Sequence, residues 1–93
     1  MDNNYKNYAI LMKALSDETR VKIFNILANG ELCACHILEE LSITQPTLSY
    51  HMKILCEAGL VNSRRDGIWT EYCVNKETLQ VIKQFFNHID ARI

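Results

Sequence analysis

The sequence predicts a mainly α-helical fold with one small β-hairpin, in the order α-α-α-α-β-β-α. Three observations predict it. Apolar residues recur at spacings of three and four over most of the chain, give way to two short strand-like runs around Asp66-Gly67, and return to the helical period at the C-terminal end. Stop and start residues such as Asn29-Gly30 and Ser42-Ile43-Thr44 fall between the periodic stretches. Ninety-three residues, 48% hydrophobic and 23% charged with one Pro and three Gly, suffice for a single core, so 1–93 reads as one domain.

The first helix is expected over residues 5–15, where Tyr5, Tyr8, Met12 and Leu15 make one face. Ser16 or Asp17 then caps a second helix, because a short side-chain oxygen accepts from the unpaired first-turn amides. Its buried stripe is read as Val21, Phe24, Leu27 and Ala28, and Asn29-Gly30 tolerates the left-handed stop. A short third helix spans 34–41 with Ile37, Leu38 and Leu41 inward. After a three-residue turn, Thr44 caps a fourth helix over 45–58, with Pro46 in the first turn, where no amide partner is lost, and Gly59 ending it. Strands over 60–65 and 68–74 flank Asp66-Gly67, a strong hairpin signal. The last helix, 76–93, carries Leu79, Ile82, Phe86, Ile89 and Ile93 on one seam.

Two short helices joined by a three-residue turn and followed at once by a hairpin describe a winged helix-turn-helix. On a helical wheel the fourth helix puts Leu48, Met52 and Leu55 on one side and Pro46, Ser49, Tyr50 and Lys53 on the other. A small, polar and basic outward face suits a DNA major groove: hydroxyl and amide groups meet base edges and a lysine reaches phosphate. Gln45, Thr47, Ser49 and Tyr50 are the candidates for base contact. Lys53 is the candidate for phosphate, with His51 in reserve, and Arg64 and Arg65 at the wing tip grip the sugar-phosphate backbone. The overall net charge of -1 does not advertise a polyanionic partner, so attraction must come from a local patch. Residues 44–65 supply one, with three Lys/Arg against a single acid.

Four cysteines stand at positions 33, 35, 56 and 73. Without a secretory context they read as thiols. Cys33-Ala34-Cys35 is a spacing poorly suited to mutual pairing and well suited to sharing a soft metal. No local spacing ties Cys56 or Cys73 to Cys33, and each reads as a small packing residue. The longest apolar run, residues 8–12, is far too short to span a membrane, and with no signal peptide the cytoplasm is the expected location. There is no Gly-rich phosphate loop, no paired carboxylates in a plausible cleft and no nucleophile with an evident base, so an enzyme is not expected.

The segments Leu15-Ser16-Asp17-Glu18-Thr19-Arg20, Glu31-Leu32-Cys33-Ala34-Cys35, Thr44-Gln45-Pro46-Thr47-Leu48-Ser49-Tyr50-His51-Met52-Lys53-Ile54-Leu55 and Ala58-Gly59-Leu60-Val61 occur in an order that resembles the ArsR/SmtB family of metal-responsive repressors. The resemblance implies a homodimeric repressor on a partly palindromic operator, released by an inducer. It also implies that Cys33 and Cys35 are the thiolate site of the arsenic, antimony, cadmium and lead sensors, with As(III) or Sb(III) first and Cd(II) or Pb(II) next. The chain departs from that pattern where arsenic sensors place a third Cys: Leu38 stands there. Nor do residues 1–32 hold the extra N-terminal Cys of cadmium and lead sensors. His36, a small thiol, a water, Cys56 or Cys73 remain as a third ligand. His88 and Asp90 alone do not make the last-helix site of zinc and nickel sensors.

In a regular helix residues two apart diverge by about 200°, so ligation of both cysteines is expected to unwind the first turn of the third helix. That distortion would displace the recognition helix. The wide apolar seam of the last helix suits pairing with a symmetry mate, through Tyr5, Tyr8 and Met12 of the first helix and Leu79, Ile82, Phe86 and Ile89 of the last. Two other readings stand beside this one: a regulator whose cysteines sense oxidants or reactive sulfur by forming disulfides, and a winged domain used only for protein contact.

Overall fold

The computed structural model describes residues 4–93. Among them five helices and three strands follow in the order α1 (Tyr5–Ala14), α2 (Glu18–Leu27), β1 (Leu32–Cys33), α3 (Ala34–Leu41), α4 (Gln45–Glu57), β2 (Val61–Asp66), β3 (Trp69–Val74) and α5 (Lys76–Arg92). Local chemistry sets the boundaries. Asp17 caps α2 by accepting from the Arg20 amide at 3.2 Å, Thr44 caps α4 through the Thr47 amide, and Asn75 caps α5 through the Thr78 amide. At the end of α4 the Leu60 amide donates to the Leu55 carbonyl and the Gly59 amide to Cys56, a Schellman stop that needs the positive φ of 84° at Gly59.

The sheet differs from the expected hairpin in two ways. A third strand, β1, pairs antiparallel with β3 in the order β1-β3-β2, with Leu32 opposite Tyr72 and Cys33 opposite Glu71. The hairpin loop is Gly67-Ile68, one residue later than Asp66-Gly67, because Asp66 already pairs with Trp69. Gly67 has φ 66°, which glycine adopts without steric cost at the first position of a two-residue loop.

Every helix feeds one core: Leu11 and Ala14 of α1, Ile23 and Leu27 of α2, Ile37 of α3, Leu48, Met52 and Leu55 of α4, and Ile82 of α5, closed by Leu60 and Val61. The stripe expected for α2 holds at Leu27 and Phe24 and fails at Val21 and Ala28, which are exposed. Val21 is half exposed and Ile23 fully buried, because Arg20 turns inward and rotates the helix with it. Ile82, expected at a dimer seam, packs in this chain's own core, and Leu79 lies against it.

The radius of gyration is 14.3 Å, against about 12 Å for a compact chain of this length. The excess comes from an elongated body of 46 × 23 × 22 Å. On α1 and α5 apolar side chains lie open, with Tyr5 64% and Phe86 53% exposed and Met12 partly so, while Tyr8 stacks on Phe85 at 4.5 Å between ring centres. No helix among the described residues is long and apolar enough to cross a membrane.

Candidate nucleic-acid interface and cysteine site

The turn between α3 and α4 is made by Ser42, Ile43 and Thr44, with Ser42 in the left-handed conformation at φ 52°, and it delivers α4 with its N-terminal half open to solvent. Gln45, Thr47, Ser49, Tyr50 and Lys53 are all exposed, Tyr50 at 62%, while Leu48, Met52 and Leu55 are buried behind them. Ser49 and Lys53 border a shallow depression completed by Cys56 and by Ser63 and Tyr72 of the wing. One polar surface therefore runs from α4 onto the sheet.

His51 does not belong to that surface. It is 8% exposed and faces inward, so its expected role in touching DNA is corrected by its burial. Arg20 donates to its Nδ1 at 3.1 Å and to the Ala14 carbonyl at 2.6 Å, and Asp17 lies 3.9 Å from the same ring nitrogen. The backbone amide of Arg20, assisted by the Arg20 charge, holds the Asp17 carboxyl below its usual range.

The two wing arginines do not act from one place. Strand alternation puts Arg65 on the face shared by Ser63 and Tyr72, beside α4, and Arg64 on the opposite face, on one ladder rung with Glu71 and Cys33. There Arg64 forks onto Glu31, Nε to Oε2 at 2.9 Å and Nη2 to Oε1 at 2.7 Å. That pair holds the Glu31 carboxyl low and raises the guanidinium further, with Asp66 and Glu71 adding to it. Arg64 is thus committed within the protein. Sequence reasoning named Glu31 in a motif but had no signal for its partner, 33 residues away.

Cys33 ends β1 and caps α3 in extended conformation, φ −67° and ψ 145°, accepting from the Cys35 amide at 3.1 Å. The helical geometry that separates residues two apart does not apply to it. The two sulfurs converge without any unwinding of α3 and are joined as a disulfide, against the expectation that they would not pair. A ring nitrogen of His36 lies within 4.8 Å of both, so Cys33, Cys35 and His36 form one group of donors. Leu38 packs against the core instead.

Cys56 and Cys73 are free and stand apart from that group. Burial pushes the Cys56 thiol up, which disfavours the thiolate a metal needs. Cys73 lines an apolar groove of about 580 Å³ between α2, β3 and the start of α5.

Asp17 and Glu31 also set a pH response. Each has a folded-state pKa below its unfolded value, so its stabilisation is complete above the ordinary carboxylate range and is lost as pH falls through the lowered value. The melting temperature is expected to drop below about pH 4. Asp17→Asn and Glu31→Gln should each flatten that acid limb in thermal melts, and unchanged limbs would refute the assignment.

A helix-turn-helix with an exposed polar helix face beside a wing that carries Arg65 defines a DNA-binding transcriptional regulator rather than an enzyme. The sequence profile of bacterial regulatory proteins of the arsR family matches residues 17–63. An arsenical resistance operon repressor of Staphylococcus xylosus is 44% identical over 88 residues, covering 95% of this chain and 85% of the relative. A cadmium resistance transcriptional regulatory protein of Staphylococcus aureus is 34% identical over 87 residues, covering 91% and 72%. Among solved structures, a homodimeric winged helix-turn-helix DNA-binding domain from Mycobacterium bovis superposes with a TM-score of 0.75 at 25% identity, covering 92% of this chain and 81% of that one. The chain belongs to the ArsR family.

Proposed function

We propose that this chain is a cytoplasmic, homodimeric repressor, one domain over residues 1–93, that binds an imperfectly palindromic operator and leaves it when a thiophilic ion occupies Cys33 and Cys35. The observation that carries the reading is the convergence of two sulfurs and the His36 ring nitrogen at the junction of β1 and α3, on the same sheet as the wing. Thiolate donors suit a soft ion, and arsenite or antimonite is the first choice, because the arsenical resistance relative covers nearly the whole chain. Cd(II) or Pb(II) stands next, on the cadmium resistance relative. Gln45, Thr47, Ser49 and Tyr50 read base edges, while Lys53 and Arg65 hold phosphate. The open apolar strip of Tyr5, Met12 and Phe86, with half-buried Tyr8 and Ile89, is the surface that a second copy covers.

A second reading has one observation behind it, the joined sulfurs. A peroxide that takes two electrons and two protons from the Cys33 and Cys35 thiols leaves as water and yields that disulfide. Fluorescence anisotropy of a labelled duplex, with arsenite and peroxide added separately to the reduced protein, distinguishes the two.

The DNA reading itself is tested by salt. Affinity should fall steeply with ionic strength, and Lys53→Ala and Arg65→Ala should each reduce the slope of log K against log salt by about 1.8, one phosphate contact from each protomer of the dimer. Arg64→Ala should change it less, because Glu31 holds that side chain. Binding indifferent to salt would leave only the protein-contact role.

A further inference from the structure

Apolar contacts hold α4 by Leu48, Met52 and Leu55, and such contacts are non-directional. A helix seated only on them has little to fix its rotation about its own axis. Among the described residues, the Arg20–His51 bond is the only side-chain hydrogen bond reaching α4 from another helix. Arg20 is itself fixed, 9% exposed and anchored to the end of α1 through the Ala14 carbonyl. His51 sits between Tyr50, which points outward, and Met52, which points in, and its ring meets the Tyr50 ring edge-on at 5.1 Å.

We infer that His51 is a positioning residue for operator recognition: through Arg20 it sets the rotation of α4, and with it the direction in which Ser49, Tyr50 and Lys53 face, without touching DNA. The inference rests on the DNA-binding reading above. Arginine has only donors, so the bond requires a lone pair on Nδ1 and a ring that carries its proton on Nε2. A proton on Nδ1 removes the acceptor, sets the ring against a buried guanidinium, and leaves Asp17 at 3.9 Å as the available partner. The ring would then have to turn from Arg20 toward the N-cap of α2. Arg20 and Asp17 of α2 face the ring most closely, Tyr50 adjoins it, and Lys13 of α1 and Glu57 of α4 line the groove that Arg20 and Tyr50 border.

The test uses the full chain and a labelled duplex enriched on the wild type from a random-sequence pool, with a scrambled duplex beside it. His51→Asn supplies an acceptor oxygen where Nδ1 lies and does not titrate; His51→Leu fills the space without an acceptor. At pH 8 the asparagine variant is expected to bind the enriched duplex within about threefold of wild type, and the leucine variant about tenfold more weakly, the scale of one charge-assisted hydrogen bond. Binding to the scrambled duplex should not change.

Leucine binding like wild type, or asparagine failing as badly as leucine, would each overturn the inference. Should the leucine variant not fold, Arg20→Lys asks the same question, since lysine keeps the charge but cannot make both bonds. It should lose discrimination, and wild-type discrimination would overturn the inference. A wild type that prefers no duplex sinks the DNA reading too, a result separate from these.

Discussion

Serine at both positions 33 and 35 should abolish release from the operator by arsenite while leaving operator binding within about twofold of wild type. The geometry separates the two effects. Cys33 is the N-cap of α3, and serine is among the preferred residues there, so Cys33→Ser keeps an oxygen to accept the Cys35 amide. What the hydroxyl does not supply is a thiolate. A coupling between ligand and DNA of about 1–3 kcal/mol, typical of such switches, should fall to zero. Each single serine variant should behave like the double, because both sulfurs belong to one site. Anisotropy of a labelled duplex against rising arsenite reads this directly, and release undiminished in the double variant would remove the cysteines from the mechanism.

Leu55→Ala should be the most damaging of the core substitutions, costing about 2–5 kcal/mol. Leu55 is fully buried at the centre of the cluster, on the helix that carries the DNA-facing residues, and its carbonyl also accepts the bond that ends that helix. A chain of this size has roughly 5–15 kcal/mol in total, so the loss takes a large part of it. Ile68→Ala is the control. That side chain is 84% exposed at the wing tip and should shift stability by less than about 0.5 kcal/mol. Urea unfolding of the three proteins checks both values, and equal midpoints for wild type and Leu55→Ala would contradict the core described above.

Local signals carried much of the fold. The ends of α3 were legible because Leu41 is followed by a turn residue, and the start of α4 because Thr44 and Pro46 leave little choice. The α4 wheel worked because its apolar residues fall on one stripe. In α2 they do not: Val21, Ile23, Phe24, Ile26 and Leu27 nearly encircle the helix, and buried Arg20 decided the phase. A wheel places position 51 about 40° from Leu55, so inward-facing His51 was readable, but a basic stretch drew it to the surface. β1 was not readable, since two residues carry no period and the partner strand lies some forty positions further on. The cysteine geometry failed with it, because a helical angle was applied to a residue that ends a strand.

The rung formed by Cys33, Glu71 and Arg64 puts the cysteine pair and the wing on one short ladder. If the cysteines take the ion proposed above, a change at sulfur would reach the wing within the spacing of three neighbouring strands, roughly 10 Å, with no lever arm between. Retuning such a molecule to another inducer would then call for new side chains around position 33, with the sheet left as it is. Effectors captured elsewhere, for instance out along α5, would have to find another route to the same duplex.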